Sequence, residues 1–217
     1  MRRFTLHLVA AALVAAASSA HAQQLSWGVR GGANLATADV EGSLFDQDVG
    51  TRTGFHLGIL GRVDISKNFA LETDVLYSQK GFAEGNGDVA LALNYFTIPI
   101  MAVIKFPTGK LSPHLYLGAE LSLESGCTVS SGSVSDISCD DARAETSEFP
   151  RTKGADSGLI FGAGVDWDIG FTTLLIDVMY DYGLTNIADV GEQIDSIKTR
   201  TLLLSLGATW AIGRTGD

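Results

Sequence analysis

Eight segments of the chain alternate apolar and polar side chains at every second position, and no other feature constrains the fold as strongly. In the seventh segment, Leu174, Ile176 and Val178 occupy one face, while Asp177 and Asp181 occupy the other. A period of two is that of a β-strand with one apolar face, and no segment sustains the helical period. The predicted strands lie at 25–35, 54–63, 69–78, 95–106, 114–123, 158–167, 173–182 and 201–212.

The connections between these segments alternate strictly between short and long. The short ones are 64–68, 107–112 and 168–172, and the long ones are 36–52, 81–93, 126–156 and 185–198. A meander with short periplasmic turns and long external loops is typical of bacterial outer-membrane barrels. The sequence therefore predicts an all-β fold, an eight-stranded antiparallel up-and-down transmembrane β-barrel. Pro99 removes one backbone donor from the fourth strand and predicts a local irregularity there.

A soluble barrel would show the same alternation, with its apolar face lining a cavity. The aromatic residues distinguish the two alternatives. If the first strand runs outward, one group falls near the periplasmic end (Trp27, Phe69, Phe106, Trp167, Phe171, Trp210) and another near the outer end (Phe55, Tyr77, Phe96, Tyr180, Tyr182). Leu, Ile, Val and Ala dominate the apolar face between them. Two aromatic girdles around an aliphatic band are the pattern of a lipid-facing barrel surface.

The first 22 residues have the pattern of a secretory signal peptide. Arg2 and Arg3 precede an apolar stretch, and Ala20-His21-Ala22 forms an A-x-A cleavage site. The apolar run is shorter than the roughly 20 residues that a spanning helix needs. We therefore predict a cleaved signal peptide at 1–22, a barrel domain at 23–217, and export to the outer membrane of a Gram-negative cell.

Net charge excludes one class of partner, and the cysteines indicate a disulfide. Cleavage would leave 13 basic and 25 acidic residues, a formal net charge of −12, which makes nucleic acid an unsuitable partner. Cys127 and Cys139 lie close together in a Ser/Asp/Gly-rich region of an exported chain. Their number and spacing predict a structural disulfide and exclude a CxxC redox motif.

Four stretches resemble the PorT-like group of small outer-membrane β-barrel proteins, whose architecture is similar to the OmpA and OmpX barrels: WGVRGGANLATADV, TGFHLGILGRVDISKNFALETDVLYSQKGF, LNYFTIPIMAVIKFP and SGLIFGAGVDW. The resemblance covers residues 23–217 and implies an outer-membrane location and eight strands. It brings no functional residues with it. Such chains commonly end on an aromatic residue read by the barrel-assembly machinery, whereas here Trp210 and Ile212 are followed by GRTGD.

The polar face carries both signs of charge, and it is the candidate functional site. We predict a lumen network of acids and bases, because buried charges are normally paired and the interior of an eight-stranded barrel is filled by side chains. Its predicted members are Arg30, His56, Arg62, Glu72, Asp74, Lys105, His114, Glu120, Asp166, Asp177 and Asp181. Glu72 and Asp74, about 7 Å apart along a strand, would also suit a carboxylate pair of a hydrolase.

We predict a non-enzymatic protein without a cofactor or resident metal, structural or surface-interacting in role. His56 and His114 are the candidate bases in the strands, and neither lies in a nucleophile motif. The acidic loops lack the spacing of an EF-hand, and we expect them to contact lipopolysaccharide through divalent ions, to mediate adhesion or to bind an external partner. The alternatives are a narrow cation-preferring channel, since lumen acids outnumber bases, and a lipid-modifying enzyme.

Overall fold

The computed structural model describes residues 24–42, 49–84, 89–131, 134–139, 141, 151–152, 154–189 and 194–212. The predicted signal peptide lies outside this part of the chain. Eight long strands carry the fold: β1 (Gln24–Gly42), β3 (Arg52–Asp64), β4 (Phe69–Glu84), β5 (Val89–Lys105), β6 (Leu111–Ser131), β9 (Ala155–Asp168), β10 (Thr173–Gly183) and β12 (Ile194–Ala211). Four short strands accompany them: β2 (Val49–Gly50), β7 (Val134–Ser138), β8 (Arg151–Thr152) and β11 (Ala188–Asp189).

The long strands form a closed antiparallel ring in which each pairs with its neighbours in sequence. The ring closes where β1 pairs with β12, and Trp27 lies opposite Trp210 across that seam. On the other side of β1, Trp27 lies opposite Gly61 of β3. β2 adds to β4 and β7 adds to β6 at one end of the barrel, while β8 and β11 form a separate pair. The predicted eight-stranded up-and-down barrel is confirmed.

Strand alternation places the apolar face outside and the polar face inside. The outward side chains of Leu57, Leu117 and Leu206 are 61%, 64% and 65% exposed, whereas their neighbours along each strand point into the ring. Such a large apolar surface would be unfavourable in water and is the surface that lipid covers. In the described residues, no helix is long and apolar enough to cross a membrane.

Aromatic side chains lie towards both ends of this apolar band. At one end the rings of Trp27 and Trp210 are 5.2 Å apart across the closing seam. At the other, Tyr77 lies between Phe55 and Phe96, with ring centroids 5.7 and 6.1 Å away. We call the first the turn end, because the connections 65–68, 106–110 and 169–172 lie there, and the second the loop end.

The strands extend farther at the loop end than the sequence pattern predicts. Residues 81–84 and 89–93 are paired strand, so the loop predicted over 81–93 is wrong for these residues, and 85–88 lie outside the described part of the chain. Large parts of the predicted loops at 36–52, 126–156 and 185–198 are strand as well. The reason is that apolar residues continue beyond the girdle but point inward there. They form a buried mouth cluster, comprising Ala38, Phe82, Leu93, Tyr95, Ile187 and Ile197.

The irregularity predicted at Pro99 is present. Pairing between β4 and β5 runs from Phe69 to Thr73 and resumes at Leu76, with a break opposite Pro99. Proline cannot donate a backbone hydrogen bond to its neighbour. The Thr73 hydroxyl donates to the Pro99 carbonyl at 2.9 Å instead, which gives this carbonyl a partner on the lipid-facing wall.

Candidate functional site in the barrel lumen

Two inward glycines make room for the polar groups of the lumen. A Cβ on Gly164 would overlap the Asp177 carboxylate and the His114 ring, and one on Gly158 would lie 2.6 Å from Asp181 Oδ1. Both glycines are on β9, opposite Asp177 or Gly183 of β10. The lumen charges therefore depend on the absence of side chains on the facing strand.

Arg30 is the centre of a buried group near the turn end, which we call the lower cluster. Its guanidinium lies 2.9 Å from both Glu72 and Asp177 and also pairs with Asp74. It donates a further hydrogen bond, at 3.0 Å, to the Tyr116 hydroxyl. One cation thus contacts three carboxylates from β4 and β10, which neutralises part of their charge.

Arg62 and His114 complete the lower cluster. Arg62 donates to Glu72 at 2.5 Å and to Asp166 at 2.6 Å. The His114 ring lies between two carboxylates, with Nδ1 3.3 Å from Asp166 and Nε2 3.0 Å from Asp177. Arg62 and His114 link every carboxylate of the cluster except Asp74, which Arg30 holds.

Lys80 is the centre of a second buried group, which lies nearer the loop end and which we call the upper cluster. Its ammonium pairs with Glu120 and lies 2.6 Å from Asp181 and 3.3 Å from the Ser122 hydroxyl. Ser122 also donates to Glu120 at 2.8 Å. Asp156 lies opposite Ser122 in register, is buried, and completes the cluster.

His56 belongs to neither cluster of charges. Its Nδ1 lies 2.7 Å from the Asn34 side chain, and its Nε2 lies 2.8 Å from the Ser205 hydroxyl. Asn34 in turn donates to Ser78 at 3.0 Å. His56 is therefore held by neutral side chains. Among the described residues it has no carboxylate partner, so it does not form a charged catalytic triad with a nucleophile.

Lys105 lies at the turn end, away from the buried clusters. It pairs with Asp64, and both side chains are partly exposed. The pair borders a cavity of about 810 Å³ that opens at this end and whose lining also includes Arg62 and Asp166. The lower cluster is consequently reached from the turn end, whereas the upper cluster lies beneath the mouth cluster.

The mouth cluster is held in place by the segment that follows β10. Ile187 donates its backbone N–H to the Ile197 carbonyl at 2.9 Å, and the Asn186 side chain accepts from Ile197 N–H at 2.9 Å. These bonds hold Ile187 against the inner wall, beside Phe82 and Leu93. The loop end of the lumen is therefore filled by apolar side chains in the described part of the chain.

The predicted disulfide is confirmed. Cys127 of β6 is bonded to Cys139, just beyond β7, with 5.4 Å between their α-carbons. The bond joins β6 to the short strand that pairs with it outside the ring. Cys127 also packs against the mouth cluster, so the disulfide is part of the loop-end structure.

The structure brings the predicted lumen residues together in two groups and leaves two apart. The lower cluster contains Arg30, Arg62, Glu72, Asp74, His114, Asp166 and Asp177, and the upper cluster contains Glu120 and Asp181. Lys105 and His56 contact neither. Lys80, Tyr116 and Asp156 also belong to these clusters and were not predicted from the sequence. For Lys80 the signal was present, because it follows Ser78 at the spacing that keeps a strand residue on one face.

Acids exceed bases among the inward residues. Among the described residues, seven buried carboxyl groups face the lumen against three buried permanent cations; the acids are Glu72, Asp74, Glu120, Asp156, Asp166, Asp177 and Asp181, and the cations are Arg30, Arg62 and Lys80. Arg200, also buried, lies on the outer wall, where its guanidinium stacks 3.7 Å from the Tyr182 ring centre. Among the described residues, no group of three or more His, Cys, Asp or Glu side chains is arranged to hold a metal ion.

Comparison with known proteins agrees with this architecture. Residues 19–189 match the family model described as the outer membrane protein beta-barrel domain. The structure is similar to outer membrane protein OprG from Pseudomonas aeruginosa (12% identity, TM-score 0.50, 87% of this chain and 97% of that one). It is also similar to outer membrane protein W of E. coli (15% identity, TM-score 0.50, 88% of this chain and 100% of that one). At such identities the structural likeness supports the fold alone. No curated protein sequence matches the chain.

The closed antiparallel ring, its apolar outer band and its charged interior define an integral outer-membrane β-barrel. The chain belongs to the outer membrane protein beta-barrel domain family. The predicted location in the Gram-negative outer membrane is confirmed.

Proposed function

We propose that this barrel is closed to ions and serves the outer membrane structurally or by presenting its loop end to the outside. The observation that supports this proposal is the filling of the lumen. Two charge clusters occupy its middle, and the mouth cluster lies across the loop end. An eight-stranded barrel leaves only enough interior for side chains, so paired charges and apolar side chains together exclude a continuous water column.

Within the family, we assign the chain to the PorT-like group on the sequence stretches described above. In the proposed orientation the turn end faces the periplasm and the loop end faces outside, as in barrels with short periplasmic turns. The acidic loop end would contact lipopolysaccharide through divalent ions or bind an external protein. The barrel-assembly machinery is the partner expected during insertion.

The proposed role is non-enzymatic. A lipid-modifying enzyme needs a base and a nucleophile that meet at a place lipid can reach. His56 and His114 are both buried in the lumen, each held by polar partners. Incubation of the folded barrel with labelled lipopolysaccharide and phospholipid checks this: turnover that is lost in His56→Ala or His114→Ala would contradict the non-enzymatic role.

Conductance across a planar bilayer tests closure directly. The purified protein, folded as judged by its mobility shift on unheated gels, is expected to leave the bilayer electrically silent. A steady current from the native protein would overturn the closed-barrel proposal. Flotation with outer-membrane vesicles provides the matching control for correct insertion.

A narrow cation channel is the second candidate, and the excess of lumen acids favours it. Rings of acidic side chains select cations, because they attract positive ions into a low-dielectric pore. If the native barrel conducts, its reversal potential in a salt gradient should therefore indicate cation preference. Anion preference would remove this candidate as well.

A further inference from the structure

The upper cluster contains more carboxyl groups than its single cation can satisfy. Lys80 offers three ammonium donors, and Glu120, Asp181 and the Ser122 hydroxyl accept them. Asp156 receives its hydrogen bond from the Thr199 hydroxyl instead, at 2.6 Å. If all three carboxyls were ionised, the cluster would carry two uncompensated negative charges on buried groups.

Two buried oxygen atoms of the cluster identify where the imbalance lies. Asp156 is 3% exposed and Asp181 is 1% exposed. Neither Asp156 Oδ1 nor Asp181 Oδ1 receives a hydrogen bond from the described residues. Asp181 Oδ1 lies over Gly158, two residues from Asp156 on the inward face of β9. A buried carboxylate oxygen without a donor loses its hydration and gains nothing in return, and binding a proton removes the charge that makes this loss unfavourable.

The charges around these two carboxyls do not remove the imbalance. The titratable and charged groups that face the cluster from the packed strands are Arg52 of β3, Lys80 of β4, Tyr95 of β5, and Glu120 and Glu124 of β6. Arg52 directs a guanidinium N–H to the Lys80 backbone carbonyl. Tyr95 is uncharged at neutral pH, and Arg52 and Glu124 bring one charge of each sign, so together they leave the excess of acid in the cluster unchanged. The inward β1 and β12 neighbours, such as Ala36, Thr199 and Thr201, carry no charge.

We propose that the upper cluster is a proton-binding site, in which Asp156 or Asp181 holds one exchangeable proton at neutral pH on its otherwise unpaired oxygen. The proton adds the positive charge that Lys80 cannot supply to a third carboxyl. It also provides a hydrogen-bond donor where the described side chains provide none. A metal ion would need several converging ligands, and in the described residues the cluster does not supply them.

Proton binding links the stability of the barrel to pH in a direction that can be derived. In the unfolded chain an aspartic acid titrates at about pH 4, so above that pH the folded barrel holds one more proton than the unfolded one. The unfolding equilibrium constant should therefore rise about tenfold per pH unit until the site loses its proton. Stability is thus lost as pH rises, the reverse of the usual behaviour of a paired carboxylate.

Urea unfolding of the mature barrel in lipid vesicles, measured from about pH 6 to about pH 9, tests the site. The expected result is a tenfold-per-unit slope in the native protein that disappears in Asp156→Asn or in Asp181→Asn. Asparagine has nearly the shape of a protonated aspartic acid, so the variant should fold. Asp168→Asn is the matched control, because Asp168 lies exposed at the turn end and an asparagine oxygen can still accept from Gly170 N–H. A slope unchanged in both cluster variants would overturn the proposal.

Infrared spectroscopy gives a second readout that does not depend on folding energetics. The native barrel at neutral pH should show the carbonyl stretch of a protonated carboxyl, and this band should be absent from the variant that loses the slope. Absence of the band from the native protein would refute the site. So would stability that follows sodium rather than pH when choline replaces sodium at fixed pH, because the bound cation would then be a metal ion. Both results are independent of whether the barrel conducts.

Discussion

At the scale of single residues, Arg30 carries more of the lumen's charge balance than any other described side chain. It contacts Glu72, Asp74 and Asp177, none of which is exposed. Replacing it with methionine keeps much of the volume but leaves three buried carboxylates without their shared cation. We expect Arg30→Met to lower the free energy of unfolding by about 3–5 kcal/mol.

Urea unfolding in vesicles measures this loss, and a second substitution identifies its cause. The double variant Arg30→Met/Asp74→Asn should recover part of the loss, because one of the stranded charges is gone. If the losses measured for Arg30→Met alone and Asp74→Asn alone add up to the loss of the double variant, the Arg30–Asp74 contact contributes no coupling energy. The loss of stability in Arg30→Met would then come from lost packing alone.

Glycine at 164 is required by the charges facing it. An added methyl group would overlap both the Asp177 carboxylate and the His114 ring, and such overpacking costs about 1–3 kcal/mol. Gly61→Ala is the matched control, since a Cβ there meets nothing within 4 Å. The midpoint temperature of unfolding, read from the loss of the folded band on gels, should be lower for Gly164→Ala than for Gly61→Ala. Equal midpoints would show that the lumen can relax around Gly164.

At the scale of elements, Arg200 fastens the end of β10 to the closing seam. It donates to the carbonyls of Gly183 and Thr199, at 2.7 Å each, pairs with Asp39 of β1 at 2.7 Å, and stacks on Tyr182. Lysine cannot reproduce a planar fork that bonds and stacks at once. We expect Arg200→Lys to cost about 1–3 kcal/mol.

Hydrogen exchange localises that effect. Amides near Gly183 and in the first half of β12 should exchange faster in Arg200→Lys, while those of β4 and β5 on the far wall keep their protection. Lys198→Gln, on the same outward face of β12, is the control. Faster exchange around the whole ring would contradict a local role for the clamp.

At the scale of the whole molecule, the alternation of side chains was sufficient to predict the ring but not its full height. Between the girdles a lipid-facing side chain must be apolar, so period two identifies each strand and its faces. Beyond the girdles the outward face meets water, and Phe82 and Leu93 point inward instead. The described strands continue there, but the alternation of outward apolar residues ends, so the sequence pattern predicts a loop over 81–93.

The same limit applies to the candidate site. The faces of Arg30, Glu72 and Asp177 followed from sequence spacing, because each lies within a membrane-spanning segment. Which acid meets which base depends on strand stagger around the ring, and a single sequence does not encode that in a readable form. Lys80 was not predicted because it lies beyond the end of the predicted third strand. The separation of Asp177 from Asp181 into two clusters could not be predicted because it depends on strand stagger.

The mouth cluster gives the final prediction, because in the proposed closed state it is the barrier at the loop end. Phe82 and Ile187 contribute two of its buried side chains from opposite parts of the wall. The double variant Phe82→Ala/Ile187→Ser should admit water above the upper cluster and produce a leak across planar bilayers. The leak should prefer cations, since acids outnumber bases in the lumen. Ile100→Ala, a truncation on the lipid-facing side, should remain silent. A double variant that folds but does not conduct would contradict this role for the mouth cluster. The barrier would then lie in the charge clusters, where ion pairs rather than apolar side chains would have to open before any ion could pass.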